Sequence, residues 1–127
     1  EFVINLTTRR LAKAADFCGV RSGRDLQKFD ALALTAVPGF TVSAPLIGES
    51  PLSLECRVRQ VIPLGSHDMF MADILCVAAD DRYLDSAGRF HLEKADLLAY
   101  SHGTYYALGQ QLGHFGYSVR KTGTKTR

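Results

Sequence analysis

Two neighbouring segments of the chain carry the hydrophobic patterns of paired β-strands. Apolar and polar positions alternate along residues 52–59, with one face made of Leu52, Leu54, Cys56 and Val58 and the other of Ser53, Glu55, Arg57 and Arg59. This period of two predicts a strand that buries one face. A turn at residues 63–66 leads to a mostly apolar run over residues 69–79, interrupted by Asp73. The short connection predicts an antiparallel hairpin.

The first third of the chain predicts one strand followed by two helices. Residues 1–6 form an apolar run that is typical of a buried strand. Apolar residues recur at helical spacing over residues 9–17, and Cys18-Gly19 predicts the helix end, with Gly19 in the left-handed position. The S-x-x-D spacing of Ser22 and Asp25 predicts a capping box that starts a second short helix.

The rest of the chain is rich in turns. Pro and Gly recur through residues 33–51, which excludes a long helix there. We expect a turn at 86–89 and a helical turn near 93–98, and Tyr105, Leu108 and Leu112 repeat at helical spacing that nearby glycines weaken. Strands with short inserted helices favour an antiparallel sheet or small barrel over a doubly wound sheet. We therefore expect one domain over residues 1–120 and a flexible basic tail over 121–127.

Composition narrows the class of protein. The chain has 127 residues, of which 46% are hydrophobic and 22% charged, as expected of one small globular domain. No apolar stretch is long enough for a membrane helix. The net charge of +2 is too small to indicate a nucleic-acid partner. Three widely spaced cysteines without a CxxC pair, Cys18, Cys56 and Cys76, indicate reduced thiols in a cytoplasmic protein.

Ser66, His67 and Asp68 are adjacent and resemble a catalytic triad in composition only. Successive residues of an extended chain point to opposite sides, so the three cannot align as nucleophile, base and orienter. His67 remains a candidate because it follows a turn at a strand mouth, where functional side chains often lie. The alternative is a solvated loop histidine. The four histidines lack metal-ligand spacing, so we expect no metal site.

The segment around Ser22 is the best local candidate for an anion site. Ser22 and Gly23 precede a predicted helix start, Lys28 adds positive charge, and Phe29 offers a flat surface for a ring. The alternative is a solvated capped helix with Phe29 in the core. The last third is rich in tyrosine, including Tyr106, which suits a planar ligand, a subunit interface or simple packing. The sequence contains neither GxGxxG nor a P-loop.

Taken together, the motifs resemble the flavin reductase-like family, which has an FMN-binding split barrel and includes the flavoredoxins. The resemblance rests on the segments FVINL (2–6), DFCGVRSGRDLQKF (16–29), APLIGES (44–50), LEC (54–56), LGSHD (64–68), YYALG (105–109) and FGYS (115–118). Gln27 departs from the family, which has Asp there. Family members carry a further third of the fold ahead of FVINL, so we expect an antiparallel Greek-key split barrel that is incomplete at its N-terminus.

The resemblance implies a cofactor and a set of contacts. Asn5, Ser22, Gly23, Lys28, Phe29 and Tyr106 would bind FMN, and His67 would contact NAD(P)H. The nicotinamide would stack on the flavin and reduce it, and the flavin would pass electrons to a redox partner or to free flavin. The protein would orient the reactants, so no side chain need act as acid or base. The family also implies a homodimer.

Three functions remain open on this resemblance. The first is an NAD(P)H-dependent flavin reductase, which is the function we expect of the intact protein. The second is a non-catalytic FMN carrier that takes electrons from a protein partner. The third is a truncated remnant that serves only as an interaction or structural domain.

Overall fold

The fold of residues 1–120, which the computed structural model describes, is built mainly from antiparallel strands. The strands are β1 (Phe2–Asn5), β2 (Ala36–Val37), β3 (Leu46–Ile47), β4 (Leu52–Pro63), β5 (Asp68–Ala79), β6 (Leu98–Ser101) and β7 (Thr104–Ala107). Residues 1–120 also contain two α-helices, α1 (Ala12–Val20) and α2 (Lys28–Ala31). Four 3₁₀ turns lie at Arg9–Leu11, Asp81–Tyr83, Leu92–Lys94 and Tyr117–Val119. The predicted basic tail over 121–127 lies outside the described residues.

The central sheet has the strand order β1-β4-β5. Its two long strands form the predicted antiparallel hairpin, in which Leu52 pairs with Ala79 and Pro63 with Asp68. The turn closes where the Leu64 N–H donates to the carbonyl of His67 at 2.8 Å. Gly65 takes a φ of +87° in this turn, which an L side chain would strain. The hairpin expected from hydrophobic alternation is therefore confirmed.

The prediction that the polar face of β4 meets solvent is wrong for half of that face. Ser53 is 3% exposed and Glu55 is 0% exposed, whereas apolar Leu54 is only half-buried. Register shifts between Glu55 and Cys56 and between Val58 and Gln60 interrupt the pairing with β5. Such irregularities re-aim side chains along a strand. These polar side chains are buried with hydrogen-bond partners, Ser53 bonding to Asn5 of β1 and Glu55 to the loop at residues 40–42.

Two predicted helix boundaries are also wrong. Gly19 lies inside α1, which continues to Val20, so it is not the left-handed terminal residue. Ser22 does not start a helix: its hydroxyl accepts from the Arg24 N–H at 3.2 Å in a tight turn. The second helix begins at Lys28 instead. Serine hydroxyls bond to nearby backbone in turns as readily as at helix caps, and here the turn prevails.

The C-terminal region forms a hairpin where the sequence offered weak helical spacing. Tyr105 lies in β7, which pairs with β6. Leu108 and Leu112 lie beyond the strand in irregular chain. The expected turn at 86–89 is present, since the Gly88 N–H donates to the carbonyl of Asp85 at 2.9 Å. The helical turn expected near 93–98 is a single 3₁₀ turn at Leu92–Lys94, and Leu98 already lies in β6.

The buried interior is small, and much apolar surface is open. Large apolar side chains of β5 are between 38% and 58% exposed, namely Met69, Phe70, Met71, Ile74, Leu75 and Val77. The buried apolar residues include Leu11, Val42, Leu46, Pro51, Cys56 and Ala95. The three cysteines are free, as expected, but only Cys56 is fully buried. Among residues 1–120, no helix has the length and apolar character needed to cross a bilayer.

Candidate flavin site

Asn5 joins three segments of the chain through its side chain. Its Oδ1 accepts from the Ile47 N–H at 3.0 Å and from the Ser53 hydroxyl at 2.8 Å. Its Nδ2 has a contact of 3.5 Å with the Val3 carbonyl, which is long for a hydrogen bond. The oxygen therefore holds β1 against β3 and β4. The amide N–H groups retain capacity to donate to a ligand.

Asn5 also lines a small apolar groove between β1 and α1. The groove has a volume of about 90 Å³, and Ala14, Cys18 and Ile47 are among the residues that line it. Sites for drug-sized ligands span roughly 300–1,000 Å³. This groove is thus too small to enclose a whole flavin mononucleotide. The groove could form one wall of a flavin site, in which the side-chain amide of Asn5 is a hydrogen-bond donor on an otherwise apolar surface.

The segment after α1 folds back onto the end of that helix. The Lys28 ammonium donates to the Cys18 carbonyl at 2.7 Å, and a Cβ built on Gly23 would lie 3.9 Å from Cε of Lys28. Ser22, Gly23, Lys28 and Cys18 therefore lie close together, with Cys18 in the groove wall beside Asn5. The ammonium keeps two further donors for an anion. The half-buried Phe29 follows Lys28 directly in α2.

His67 lies far from this cluster within one chain. It sits in the exposed turn at the far end of β4, where its Nδ1 is 2.9 Å from the Ser66 hydroxyl. Asn5 pairs with Ser53 near the opposite end of the same strand. The strand between Ser53 and Pro63 would extend about 33 Å if straight, at roughly 3.3 Å per residue. The structure does not bring His67 and Asn5 together in one chain.

Tyr106 lies on the outer side of the β6–β7 hairpin. The ring of Tyr105 lies 4.9 Å from that of Tyr100 and interacts with Asp16 of α1. Burial, and then the negative charge of Asp16, raise the pKa of the Tyr105 hydroxyl. Successive side chains of a strand alternate, so Tyr106 points away from α1, and it is 54% exposed. Within one chain it faces solvent.

Sequence reasoning missed Glu55, which organises the loop that precedes β3. Its carboxylate accepts from the Phe40 N–H at 2.8 Å, from the N–H and hydroxyl of Thr41 at 2.6 Å each, and from the Val42 N–H at 3.1 Å. The Thr41 hydroxyl and these backbone donors outweigh the effect of burial and hold the pKa of the carboxyl below its usual value. The sequence carries no signal for this role, because alternation assigns Glu55 to a face of β4 but does not show that the loop at residues 40–42 covers that face.

The comparisons define the class of protein. The model of the family described as Flavin reductase like domain matches residues 1–109. The chain belongs to this flavin reductase-like family. An uncharacterized protein of Archaeoglobus fulgidus is 36% identical over 85 residues, which are 67% of this chain and 48% of that protein. The chain spans about half the length of the curated relatives it matches, between 43% and 54% for the first three.

Solved structures identify the fold more closely. The flavoredoxin of Desulfovibrio vulgaris (Miyazaki F) is 31% identical, with a TM-score of 0.83 over 93% of this chain and 64% of that one. The flavoredoxin of Methanosarcina acetivorans is 26% identical with a TM-score of 0.79 and the same coverages. A split-barrel protein of Shewanella frigidimarina, at 23% identity and a TM-score of 0.73, supports the fold alone. The predicted family and the antiparallel split-barrel fold are confirmed.

The residues of this chain suit part of a flavin site. The free amide donors of Asn5, the Lys28 ammonium and the Ser22 hydroxyl are groups that bind phosphate and ring acceptors. The groove beside Asn5 is too small to enclose FMN, so its residues fit one wall of such a site. No group of three His, Cys, Asp or Glu side chains within residues 1–120 is placed to hold a metal ion.

Proposed function

We propose that the protein binds FMN and transfers electrons from NAD(P)H to this flavin and on to an acceptor. One observation carries the proposal: the chain is 31% identical to a flavoredoxin over 93% of its length, with a TM-score of 0.83. An FMN-binding protein of Thermus thermophilus shares the fold at a TM-score of 0.70. We also propose a cytoplasmic location, because the three cysteines are free thiols.

The contacts proposed for FMN are those of the cluster at the end of α1. Lys28 and Ser22 bind the phosphate, Gly23 lets the ligand approach the backbone, and Asn5 donates to an acceptor of the ring system. Phe29 and Tyr106 contribute aromatic surface. Bound flavin would supply the redox chemistry, because it accepts electrons from NAD(P)H and gives them up to a partner protein or to free flavin. The side chains bind and orient, and none transfers a proton.

We also propose a homodimer in which His67 of one subunit contacts NAD(P)H at the flavin of the other. The proposal follows from the long separation between His67 and Asn5 within one chain. It also accounts for the open apolar side chains of β5, since exposed apolar patches of this kind mark interaction surfaces. A second copy would cover that surface and complete the site.

The direct test is to titrate the purified protein with FMN and then measure NAD(P)H oxidation at saturating FMN. We expect flavin fluorescence to be quenched on binding, and we expect His67→Ala to raise the KM for NAD(P)H without changing the Kd for FMN. An unchanged KM would remove His67 from the nicotinamide site and favour the non-catalytic carrier. Failure to bind FMN at all would favour the interaction domain.

A mixing experiment tests the shared site. Lys28→Ala and His67→Ala chains are each purified, unfolded together and refolded, and NAD(P)H oxidation is measured at limiting FMN. Mixed dimers hold one site with both residues intact only if Lys28 and His67 come from different subunits. Recovery of activity above that of either parent therefore supports the arrangement, and absence of recovery contradicts it. Sedimentation velocity confirms that dimers re-form.

A further inference from the structure

A polar cleft of about 480 Å³ adjoins the groove beside Asn5, with which it shares Leu11 and Leu34. Its walls come from Thr8, Arg10 and Leu11 with residues 94–96, from residues 32–34 with 48–49, and from Arg82 with Tyr83. None of the seven residues proposed to contact FMN or NAD(P)H lines it. The volume falls within the range of about 300–1,000 Å³ that is typical of small-molecule sites.

One wall of the cleft carries two cations without a carboxylate partner. The Arg9 N–H donates to the Asp96 carbonyl at 2.8 Å and Thr8 bridges to Leu97, so these two segments lie side by side. Arg10 and Lys94 project from these segments, and no acid among residues 1–120 forms an ion pair with either. The neighbouring Arg9, by contrast, is paired with Asp96 at 3.3 Å.

The facing wall carries one carboxylate. Glu49 accepts from the Thr35 N–H at 3.0 Å and from the Thr35 hydroxyl at 2.8 Å. Burial acts to raise its pKa, but the hydrogen bonds from Thr35 prevail and the pKa is lowered. Glu49 is therefore charged at neutral pH and keeps lone pairs that hydroxyl groups can donate to. The cleft thus has a cationic wall and an acceptor wall.

The backbone of the cleft is unusual at two points. Ala33 and Asp96 have φ values of 51° and 52°, and they are two of the three non-glycine residues with left-handed φ in the described chain. One lies in each of the two facing walls. Residues held in this region cost free energy and concentrate at ligand sites. The distribution supports a binding role for the cleft.

We propose that the cleft binds a phosphate monoester whose remaining part carries hydroxyl groups. The phosphate lies between Arg10 and Lys94, because a guanidinium binds phosphate with two parallel hydrogen bonds and an ammonium adds a compact charge. The hydroxyl groups donate to Glu49. We place this site beside the flavin site and not within it, because none of the residues proposed to contact FMN lines the cleft. The proposal does not depend on the proposed electron transfer.

An NMR titration of backbone amides tests the proposal with three probes: ribose 5-phosphate, inorganic phosphate and ribose. We expect ribose 5-phosphate to shift the amide signals of residues 10, 33, 49 and 94–96 and to bind more tightly than inorganic phosphate. Ribose alone should shift none of these signals. Arg10→Gln and Lys94→Gln should each lower the affinity for ribose 5-phosphate by about tenfold, since each removes a charged hydrogen-bond donor. Glu49→Gln should lower the affinity for ribose 5-phosphate but not the affinity for inorganic phosphate.

Lys13→Gln is the matched control, because Lys13 is an exposed cation on α1 outside the cleft. An equal loss of affinity in this variant would mean general charge attraction and would overturn the proposal. Equal affinity for phosphate and ribose 5-phosphate would contradict the role of Glu49. Competition by FMN would assign the cleft to the flavin and contradict a separate site. The amide spectrum of each variant shows whether it is folded, and either cationic variant alone suffices for the test.

Discussion

Replacing Gly39 with alanine should destabilise the protein, because the new methyl group has no room. A Cβ at this position would lie 2.4 Å from the Val42 carbonyl oxygen and 2.9 Å from that of Ala44. Both obstacles are backbone atoms, which cannot rotate away as a flexible side chain can. The loop is also held in place, since Val42 is 7% exposed and its N–H donates to the buried carboxylate of Glu55. Relief of the clash would break these contacts.

The size of the effect follows from the kind of clash. Forcing an extra carbon into a well-packed region costs about 1–3 kcal/mol. For a domain of this size, 1 kcal/mol lowers Tm by roughly 4 °C. We therefore expect Gly39→Ala to lower Tm by roughly 4–12 °C. The free energy of unfolding, measured by urea titration followed by far-UV circular dichroism, should fall while the m value stays unchanged.

Gly19→Ala is the matched control for the same chemical change. Gly19 lies within α1, and nothing lies within 4 Å of the position its Cβ would take. An alanine there should stabilise the protein by about 0.5–1 kcal/mol, because it restricts the unfolded chain and favours the helix. The two substitutions should thus have opposite signs. Wild-type stability in Gly39→Ala would show that the loop is not packed as described, and equal destabilisation by both would show a general intolerance of alanine.

Three further substitutions test pH dependence and cofactor binding. Hydrogen bonds led by that of the Thr41 hydroxyl lower the pKa of Glu55, so its contribution to stability is present above the ordinary carboxyl pKa and lost as pH falls through the lowered one. Glu55→Gln should therefore flatten the acid side of the plot of unfolding free energy against pH, and an unchanged slope would contradict the assignment. The hydrogen bond with Asp85 raises the pKa of His91 above its usual 6.5. The stability that charged His91 contributes is therefore full below pH 6.5 and is lost as the pH rises through the raised pKa. His91→Gln should remove this decline, as thermal unfolding in a series of buffers would show. Lys28→Ala should weaken the binding of FMN by about 1–3 kcal/mol, as measured by fluorescence titration. An unaltered Kd would exclude Lys28 from the flavin site.

The long hairpin was predictable because its pattern depends on local properties alone. The alternation from Leu52 to Val58 and the apolar run after it define two strands whatever the rest of the chain does. The first strand and the helix after it were also predictable as elements. The expected burial of β1 was wrong, since Ile4 is 44% exposed, and α1 begins at Ala12 and not at residue 9. The family was recognisable because separated motifs occur in the expected order. Local pattern and motif order together therefore determined the fold class.

The burial of Glu55 was not predictable, because it depends on contacts distant in sequence. Alternation shows which residues share a face, but it does not show which face another segment will cover. Here the loop at residues 40–42 supplies three N–H groups to a single carboxylate. Buried carboxylates are tolerated when hydrogen-bonded in this way. The register shift beside Glu55 further separates the real faces from the regular pattern.

The candidate site was predictable as a list of residues and not as an arrangement. Ser22 illustrates the reason, since its hydroxyl is equally suited to a helix cap and to the turn that it forms. Asn5 illustrates another, because its oxygen holds β1 against two other strands while its amide donors retain capacity for a ligand. Chain spacing gives no information on either point. Tertiary contacts decide which polar atoms remain free to bind.

The distribution of polar and apolar groups over the sheet bears on how the protein is assembled. On β4 the least exposed side chains include Ser53 and Glu55, while on β5 Phe70 and Ile74 are 57% and 58% exposed. Burying polar groups is costly, and leaving large apolar ones in water forgoes about 1.5–3 kcal/mol for each side chain that could be fully covered. The open face of β5 thus carries a large unused driving force for association. A partner surface placed there would stabilise the fold, and in the proposed dimer the same contact would bring the distant His67 to the flavin.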